Sequence, residues 1–452
     1  MLTSIQIIDV LKNWNIWGGV NLAQDTVPRL SLPEISRFIP DRQILALIGI
    51  RRAGKSTLMF QLMEELVNRG IDEKGLLYVN FEEPLFTQYL SLNLLDNILT
   101  AFKEIVRPSE KIFLFLDEIQ NIPSWERWIR VRTDQGVKVI ISGSSSKLLS
   151  SELATLLTGR QISFPIHPFS FSEFIFSQGI HTENLLDTLK HKAEIGALLH
   201  DYLKWGGFPE AVLITDEYKK RILLRQYFED ILYKDVAFRH GLKDINLLKK
   251  LSVYALTNIG NKVSYNRLGR EMALPSVETV RHYFSFLQEA FLLYELPKFS
   301  FKYREQVKTS RKIYTADLGM RNAVAFRFSQ DIGRLAENFV FLELKRRGYE
   351  IFYFQKKHEV DFYARHESED LLLINVAWEM AGRATRQREL AGLQEAMAEL
   401  GADRGLLLTE RTEEEIKVPE GNIAVRPLWL WTLEWEFKHG GRGKGDVRAE
   451  RA

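Results

Sequence analysis

The 452-residue chain contains no cysteine. That excludes disulfides, thiol nucleophiles and cysteine-held zinc or iron–sulfur centres, and it fits a reducing compartment. An excess of charge is missing too: 61 basic residues face 59 acidic ones, a net +2. Overall charge therefore predicts neither nucleic-acid nor membrane binding, and any basic surface must be local. No apolar run approaches the ~20 residues of a spanning helix. The opening residues, Met1 to Asp9, lack the basic region, apolar core and small-residue cleavage site of a signal peptide. No repeat of solenoid length is visible. The expectation is a soluble, cytoplasmic chain with no membrane partner, long enough for two or three domains.

What the chain does have begins at Gly49-Ile50-Arg51-Arg52-Ala53-Gly54-Lys55-Ser56-Thr57, which fits G-x-x-x-x-G-K-[ST]. An apolar stretch, Ile44 to Ile50, precedes it, and a helix-like one, Thr57 to Asn68, follows. The pattern predicts a phosphate-binding loop. Glycines let backbone N–H groups turn inward without Cβ clashes, the helix start adds a positive dipole end, and Lys55 adds a full charge. Ser56 supplies a hydroxyl for Mg²⁺, and Thr57 one for an α-phosphate. A glycine turn with a chance lysine is the alternative; the flanking strand and helix argue against it.

A second element supports the first. Lys111-Ile-Phe-Leu-Phe-Leu-Asp117-Glu118 reads as a buried strand ending in two carboxylates. Asp117 is placed to reach the Mg²⁺ shell, and Glu118 to take a proton from an attacking water. Taken alone, such a run is equally a strand ending in a solvated acidic turn. Paired with the upstream loop it argues for hydrolysis of a nucleoside triphosphate with Mg²⁺ as cofactor, ATP being the nucleotide only as far as resemblance to ATPases implies.

The rest of the chain divides by pattern. Residues 1–40 mix tryptophans with turn residues and read as a lead-in packed on the next domain. Residues 41–180 alternate strand-like and helix-like segments, which predicts α/β units and a mostly parallel sheet. Residues 181–242 are rich in helix formers and break at Trp205-Gly206-Gly207-Phe208-Pro209. Residues 243–312 hold three helical patterns, with Ser276 as an N-cap, then a strand-like Phe291 to Leu296; they read as a helix-turn-helix with a wing. Lys298, Lys302, Arg304, Lys308, Arg311 and Lys312, with Phe299, Phe301 and Tyr303 between them, form a basic stretch suited to a nucleic-acid backbone. Against DNA contact, Arg281 and His282 lie at i+3 and i+4 from Glu278 and can pair with it. Residues 313–435 return to an α/β pattern, and 436–452 are expected to be disordered.

Through Gly-Ile-Arg-Arg-Ala-Gly-Lys-Ser, Tyr78-Val-Asn80-Phe, Leu116-Asp-Glu-Ile-Gln, Ile141-Ser142-Gly143-Ser144-Ser, Leu157-Thr-Gly159-Arg160 and Pro168-Phe-Ser-Phe-Ser-Glu173-Phe, the chain resembles prokaryotic AAA-type ATPases. In that family a P-loop domain is followed by a winged helix and a nuclease-like domain of unknown function. The resemblance implies an α/β P-loop NTPase core of the AAA type. It implies a sensor role for Ser142, with Ser144 as second choice, and a role for Asn80 in restraining Glu118. It also implies that Arg160 stabilises γ-phosphate charge, in cis or on a neighbouring subunit. Simple capping of strand ends is the alternative for the polar residues, and a plain surface arginine for Arg160.

The C-terminal third resembles the restriction-endonuclease fold, with Glu337 on a helix and His358-Glu359-Val360-Asp361 opening a strand. The resemblance implies a second strand carrying Glu-x-Lys, but here Asn375 and Ala377 stand at those positions. A retained fold without nuclease activity is the expectation. Three functional classes stay open: an ATPase that reorients its C-terminal domains, a nucleotide-gated switch with negligible turnover, and an ATP-dependent nuclease, which Asn375 and Ala377 disfavour. Double-stranded DNA, a protein partner and a second copy of the chain stay open as partners.

Overall fold

Five short apolar runs become five strands of one parallel sheet: β1 (Ile44–Ile48), β2 (Leu76–Asn80), β3 (Phe113–Asp117), β4 (Lys138–Gly143) and β5 (Gln161–Pro165). They belong to a computed structural model of the protein that describes residues 2–108, 111–149, 160–182, 184–274, 276–302, 304, 306, 309–326, 332–367, 371–379 and 382–439. The chain folds as two units, Met1–His167 and Pro168–Ala452. Leu157 to Gly159 of the expected Thr-Gly-Arg motif lie outside the described residues.

In the first unit the strand order is β2-β3-β4-β1-β5. Every residue of β1, β3 and β4 is buried, which is why these strands read as continuous apolar runs rather than alternating ones. The order sends the chain from β1 to the far edge and back, so the carboxyl ends of β1, β3 and β4 line one rim. In open α/β sheets that rim is where ligands bind. The first helix, α1 (Ser4–Leu11), opens with a capping box between Thr3 and Gln6. Just beyond it, buried Asn15 accepts a hydrogen bond from Tyr78 N (2.7 Å) and donates to Tyr78 O (2.9 Å) and Leu11 O (2.8 Å). Trp17 Nε1 donates to Leu76 O. The lead-in thus satisfies backbone groups on edge strand β2 that would otherwise invite another strand.

The second unit starts with helices, among them α2 (Lys192–Trp205) and α3 (Glu217–Asp230). The expected break after Trp205 is present, with Gly206 at φ +72°. There follow α4 (Ile245–Thr257), β6 (Lys262–Val263), α5 (Tyr265–Glu271), α6 (Val277–Glu289), β7 (Leu293–Leu296) and β8 (Arg311–Thr315). Ser276 caps α6 by accepting from Thr279 N. The three strands make an antiparallel sheet in the order β6-β8-β7. Next come α7 (Leu318–Val324), α8 (Ile332–Arg346), β9 (Glu350–Gln355), β10 (Glu359–Arg365), β11 (Leu372–Val376), α9 (Arg383–Leu400), β12 (Arg404–Thr409), β13 (Glu414–Val418), β14 (Gly421–Pro427) and α10 (Leu428–His439). Their mixed sheet runs β13-β14-β12-β11-β10-β9; β9–β10, β10–β11 and β13–β14 pair antiparallel, β11–β12 and β12–β14 parallel. Core residues such as Leu393, Leu407 and Val425 fill the space between α9 and this sheet.

Three expectations need correction. The basic stretch does not stay on the surface: its end becomes β8, where Lys312 is 2% exposed. Pairing with β6 and β7 drew this segment inward, a long-range event that local composition does not record. Tyr303 and Lys308 lie outside the described residues. The expected domain boundary between 312 and 313 accordingly cuts through β8. Finally, α10 runs to His439, so the tail expected from 436 begins inside a helix, and residues 440–452 lie outside the described ones.

Candidate functional site

The loop leaving β1 is forced tight by its surroundings. Gly49 donates to Gly143 O, and a Cβ at Gly49 would lie 1.9 Å from the Ile166 carbonyl oxygen. Only glycine fits there. Arg52 and Gly54 take left-handed backbone, at φ +71° and +93°, before the loop helix Lys55–Asn68. Lys55 is buried, and its Nζ donates to Gly49 O and Ile50 O at 3.1 and 3.2 Å. Behind the loop, buried Arg29 holds Ala53 O and His167 O, each at 2.7 Å. Thr57 follows on the same helix.

Asp117 ends β3 fully surrounded. Ser56 and Tyr78 donate their hydroxyls to Oδ2, Tyr78 at 2.6 Å, and Ser142 donates to Oδ1. Burial first, then the neighbouring Glu118 carboxylate, pushes the Asp117 carboxyl above its ordinary range, while the three hydroxyls pull it back. Glu118 follows in left-handed backbone at φ +55°, which turns its side chain away from the strand line. Its N–H donates to Ser142 Oγ at 3.1 Å. Gln120 and Ser144 donate to its Oε2, Ser144 at 3.1 Å, and Lys55 Nζ lies 3.5 Å from Oε1. Burial alone would raise the Glu118 carboxyl; Lys55, Arg51 and the bonds from Gln120 and Ser144 outweigh it and hold the group below its ordinary range. Glu118 is therefore ionised at neutral pH. Arg51 meets Glu82 through two bonds, of 2.9 and 2.6 Å.

This geometry brings Lys55, Ser56, Asp117, Glu118, Ser142 and Ser144 into one cluster. The donor set of the Ser56 hydroxyl and the Asp117 carboxylate fits Mg²⁺, which keeps several waters and takes few protein oxygens. Among the described residues no group of three or more His, Cys, Asp or Glu forms a metal cage. Asn80 makes no hydrogen bond to Glu118: its Oδ1 accepts from Glu82 N at 2.8 Å. The side chains that restrain Glu118 are Gln120, Ser144 and Lys55, because Glu118 turns toward β4 rather than β2. Arg160 precedes β5, at the amino end of the sheet, and pairs with exposed Asp134. The loop after β1 and the Asp117–Glu118 pair lie at the opposite rim, a strand length of ~15 Å away. A role for Arg160 at its own subunit's γ-phosphate is thereby corrected. Tyr78, Gln120 and Arg29 were not singled out in the sequence. Tyr78 stands in the quoted Tyr-Val-Asn-Phe run, but that β2 lies beside β3 is not written locally.

In the second unit Asn375 is a crosslink. Its Oδ1 accepts from Asp361 N at 2.9 Å, and its Nδ2 donates to Glu389 Oε2 at 2.9 Å. Ala377 is buried in the apolar core. Glu337 and Asp361 both meet Lys312 Nζ, at 2.7 and 2.8 Å. The exposed pair Glu278 and Arg281 approach to 3.6 Å, as their spacing suggested. Among the described residues no helix is long and apolar enough to cross a membrane.

Comparison with known proteins divides the chain into three matched segments. Residues 41–175 match an AAA domain, 196–331 a domain of unknown function (DUF8612), and 332–431 another domain of unknown function (DUF4143). Among solved structures, a Walker-type ATPase of Pyrococcus abyssi is 14% identical, with a TM-score of 0.43, over 67% of this chain and 96% of its own. AMPPCP-bound DnaA of Aquifex aeolicus is 16% identical, with a TM-score of 0.27, over 60% of this chain and 91% of its own. An uncharacterized protein of Methanocaldococcus jannaschii is 33% identical over 414 residues, 88% of this chain and 90% of that one. A second uncharacterized protein, of Haemophilus influenzae, is 31% identical over 356 residues, 77% and 86% of the two chains. With an AAA domain ahead of two domains of unknown function, and this extent of identity, the chain belongs to the family of these archaeal and bacterial proteins.

Proposed function

We propose that the protein is an Mg²⁺-dependent ATPase whose nucleotide state is passed to its C-terminal modules. The observation that carries this reading is the meeting of Ser56, Asp117 and Ser142 beside Lys55 and an ionised Glu118. Lys55 and the loop N–H groups bind the β- and γ-phosphates, and Ser56 and Asp117 hold Mg²⁺, which supplies charge neutralisation when bound. Glu118 orients a water and accepts its proton, and Ser142 links Asp117 to the Glu118 backbone so that the two respond together. Arg160 retains a place only on a neighbouring subunit.

A second reading is a nucleotide-gated switch with negligible turnover. The hold of Gln120, Ser144 and Lys55 on Glu118 favours it, since a carboxylate so engaged must be released before it can serve a water. We read the β6-β8-β7 module with its three helices as a winged helix, a candidate contact for double-stranded DNA, and the β9–β14 sheet as a restriction-endonuclease-like domain without nuclease activity. A cytoplasmic location belongs to the same reading.

Steady-state phosphate release from ATP and Mg²⁺, for wild type, Lys55→Ala and Glu118→Gln, with and without double-stranded DNA, tests both. Turnover lost in the two variants supports the ATPase, and stimulation by DNA supports the winged-helix contact. ATP binding by wild type without turnover supports the switch.

A further inference from the structure

Lys312 is 2% exposed, yet its ammonium is fully engaged. An ammonium has three N–H donors. Three carboxylate oxygens receive them: Glu337 Oε1 at 2.7 Å, Glu359 Oε1 at 2.8 Å and Asp361 Oδ1 at 2.8 Å. Tyr314 OH donates to the same Glu337 oxygen at 2.6 Å. The far oxygen of Glu359 takes Lys262, whose Nζ also reaches Gln355 Oε1. Lys262 and Lys312 stand directly opposite each other in the β6–β8 register, so both side chains leave the same face. Like charges placed so repel unless something negative lies between them. Here Glu359 does.

The acids come from α8 and β10, the elements that would present metal ligands in a nuclease-like sheet. A divalent ion needs several oxygens within about 2.0–2.6 Å of one point. The oxygens that converge are already directed at one nitrogen, and that nitrogen arrives from β8. The other acid position of such a site, residue 375, is an amide spent on Asp361 N and Glu389. A metal does not fit this site as built.

We infer that Lys312 is the permanent cation of the Glu337–Glu359–Asp361 cluster, standing where a divalent metal ion would have to sit. The ion pair then fastens the three-stranded sheet to the six-stranded one and keeps the C-terminal domain metal-free. Removing one partner of such a buried set leaves like charges facing each other, and this is costly.

Thermal melting of the full, nucleotide-free chain with and without millimolar Mn²⁺ tests this. Wild type should show no Mn²⁺-dependent shift in the transition of the second unit. Lys312→Met should melt lower, on the order of 10 °C, and regain part of the loss with Mn²⁺; Lys312→Met combined with Asp361→Asn should lose the Mn²⁺ response. If Lys312→Met does not fold, Lys312→Met with Glu337→Gln, which removes one of the uncompensated charges, replaces it in the same comparison. The ¹⁵N signal of the Lys312 ammonium in wild type gives an independent readout and should stay sharp on Mn²⁺ titration. A Mn²⁺ response in wild type equal to that of the variant, or broadening of that signal, would overturn the inference. So would Mn²⁺-dependent DNA cleavage by wild type that Lys312→Met abolishes, since the lysine would then work beside a metal.

Discussion

Lys55 Nζ lies 3.5 Å from Glu118 Oε1, with both side chains buried. The loop cation and the acid after β3 form one electrostatic unit, in which Lys55 helps to hold the Glu118 carboxyl below its ordinary range. Replacing Glu118 with Gln removes the carboxylate proposed to accept the proton of the water but keeps size and hydrogen bonding. Phosphate release should fall by about 10²–10⁴-fold with ATP binding retained, whereas Lys55→Ala should lose binding itself. Parallel turnover and fluorescent-nucleotide titrations separate the two.

Gln120 donates to the Glu118 carboxylate from two residues away. If that bond sets a resting position, Gln120→Ala should raise basal phosphate release several-fold, roughly the factor that about 1 kcal/mol of released hydrogen bonding supplies. A drop in turnover at unchanged ATP affinity would instead make Gln120 a positioning residue.

Asn15 ties the lead-in to β2 through Tyr78 N and Tyr78 O. Asn15→Ala leaves these backbone groups without partners at a buried edge and should cost about 2–3 kcal/mol. Urea denaturation followed by tryptophan fluorescence reads it, with Leu11→Ala as a control for simple loss of packing.

Asp317 accepts from Gly207 N and Met320 N, each at 2.7 Å, and burial pushes its carboxyl from 3.8 up to about 6. Between those values the folded protein keeps a proton that the unfolded chain has released. Stability contributed by this group therefore falls as pH rises from about 4 to 6, by on the order of 3 kcal/mol, and the penalty is complete above 6. Asp317→Asn loses one of the two acceptors and should be less stable than wild type near pH 4 by about 1–2 kcal/mol. The gap should close or reverse by pH 7. Paired denaturation curves across this range check the crossing.

The loop from Gly49 to Thr57 and the pair Asp117–Glu118 were legible because their chemistry is compressed into short, ordered runs. Helix periodicity placed α8 and α9 within a few residues, and the alternation of β1 to β4 with helices announced a parallel sheet. Strands β8, β13 and β14 were not legible. β8 is basic at its start, and β13 carries charges on its open face; such strands exist because of the partners they pair with. The expectation for Asn80 and the in-cis alternative for Arg160 failed for a related reason. Strand-end position is readable, but the direction in which Glu118 turns and the rim on which Arg160 emerges depend on strand order.

By itself, the sequence determined the phosphate loop, the acidic strand end and the absence of thiol chemistry, since each is a matter of which side chains exist and how closely they follow one another. Only the tertiary structure decided that Tyr78 and Ser142 both close on Asp117, that Gln120 holds Glu118, and that Lys312 leaves a basic surface stretch to sit among three carboxylates. Charges far apart along the chain acquire partners only once strands choose their neighbours, and burial then makes those partnerships obligatory.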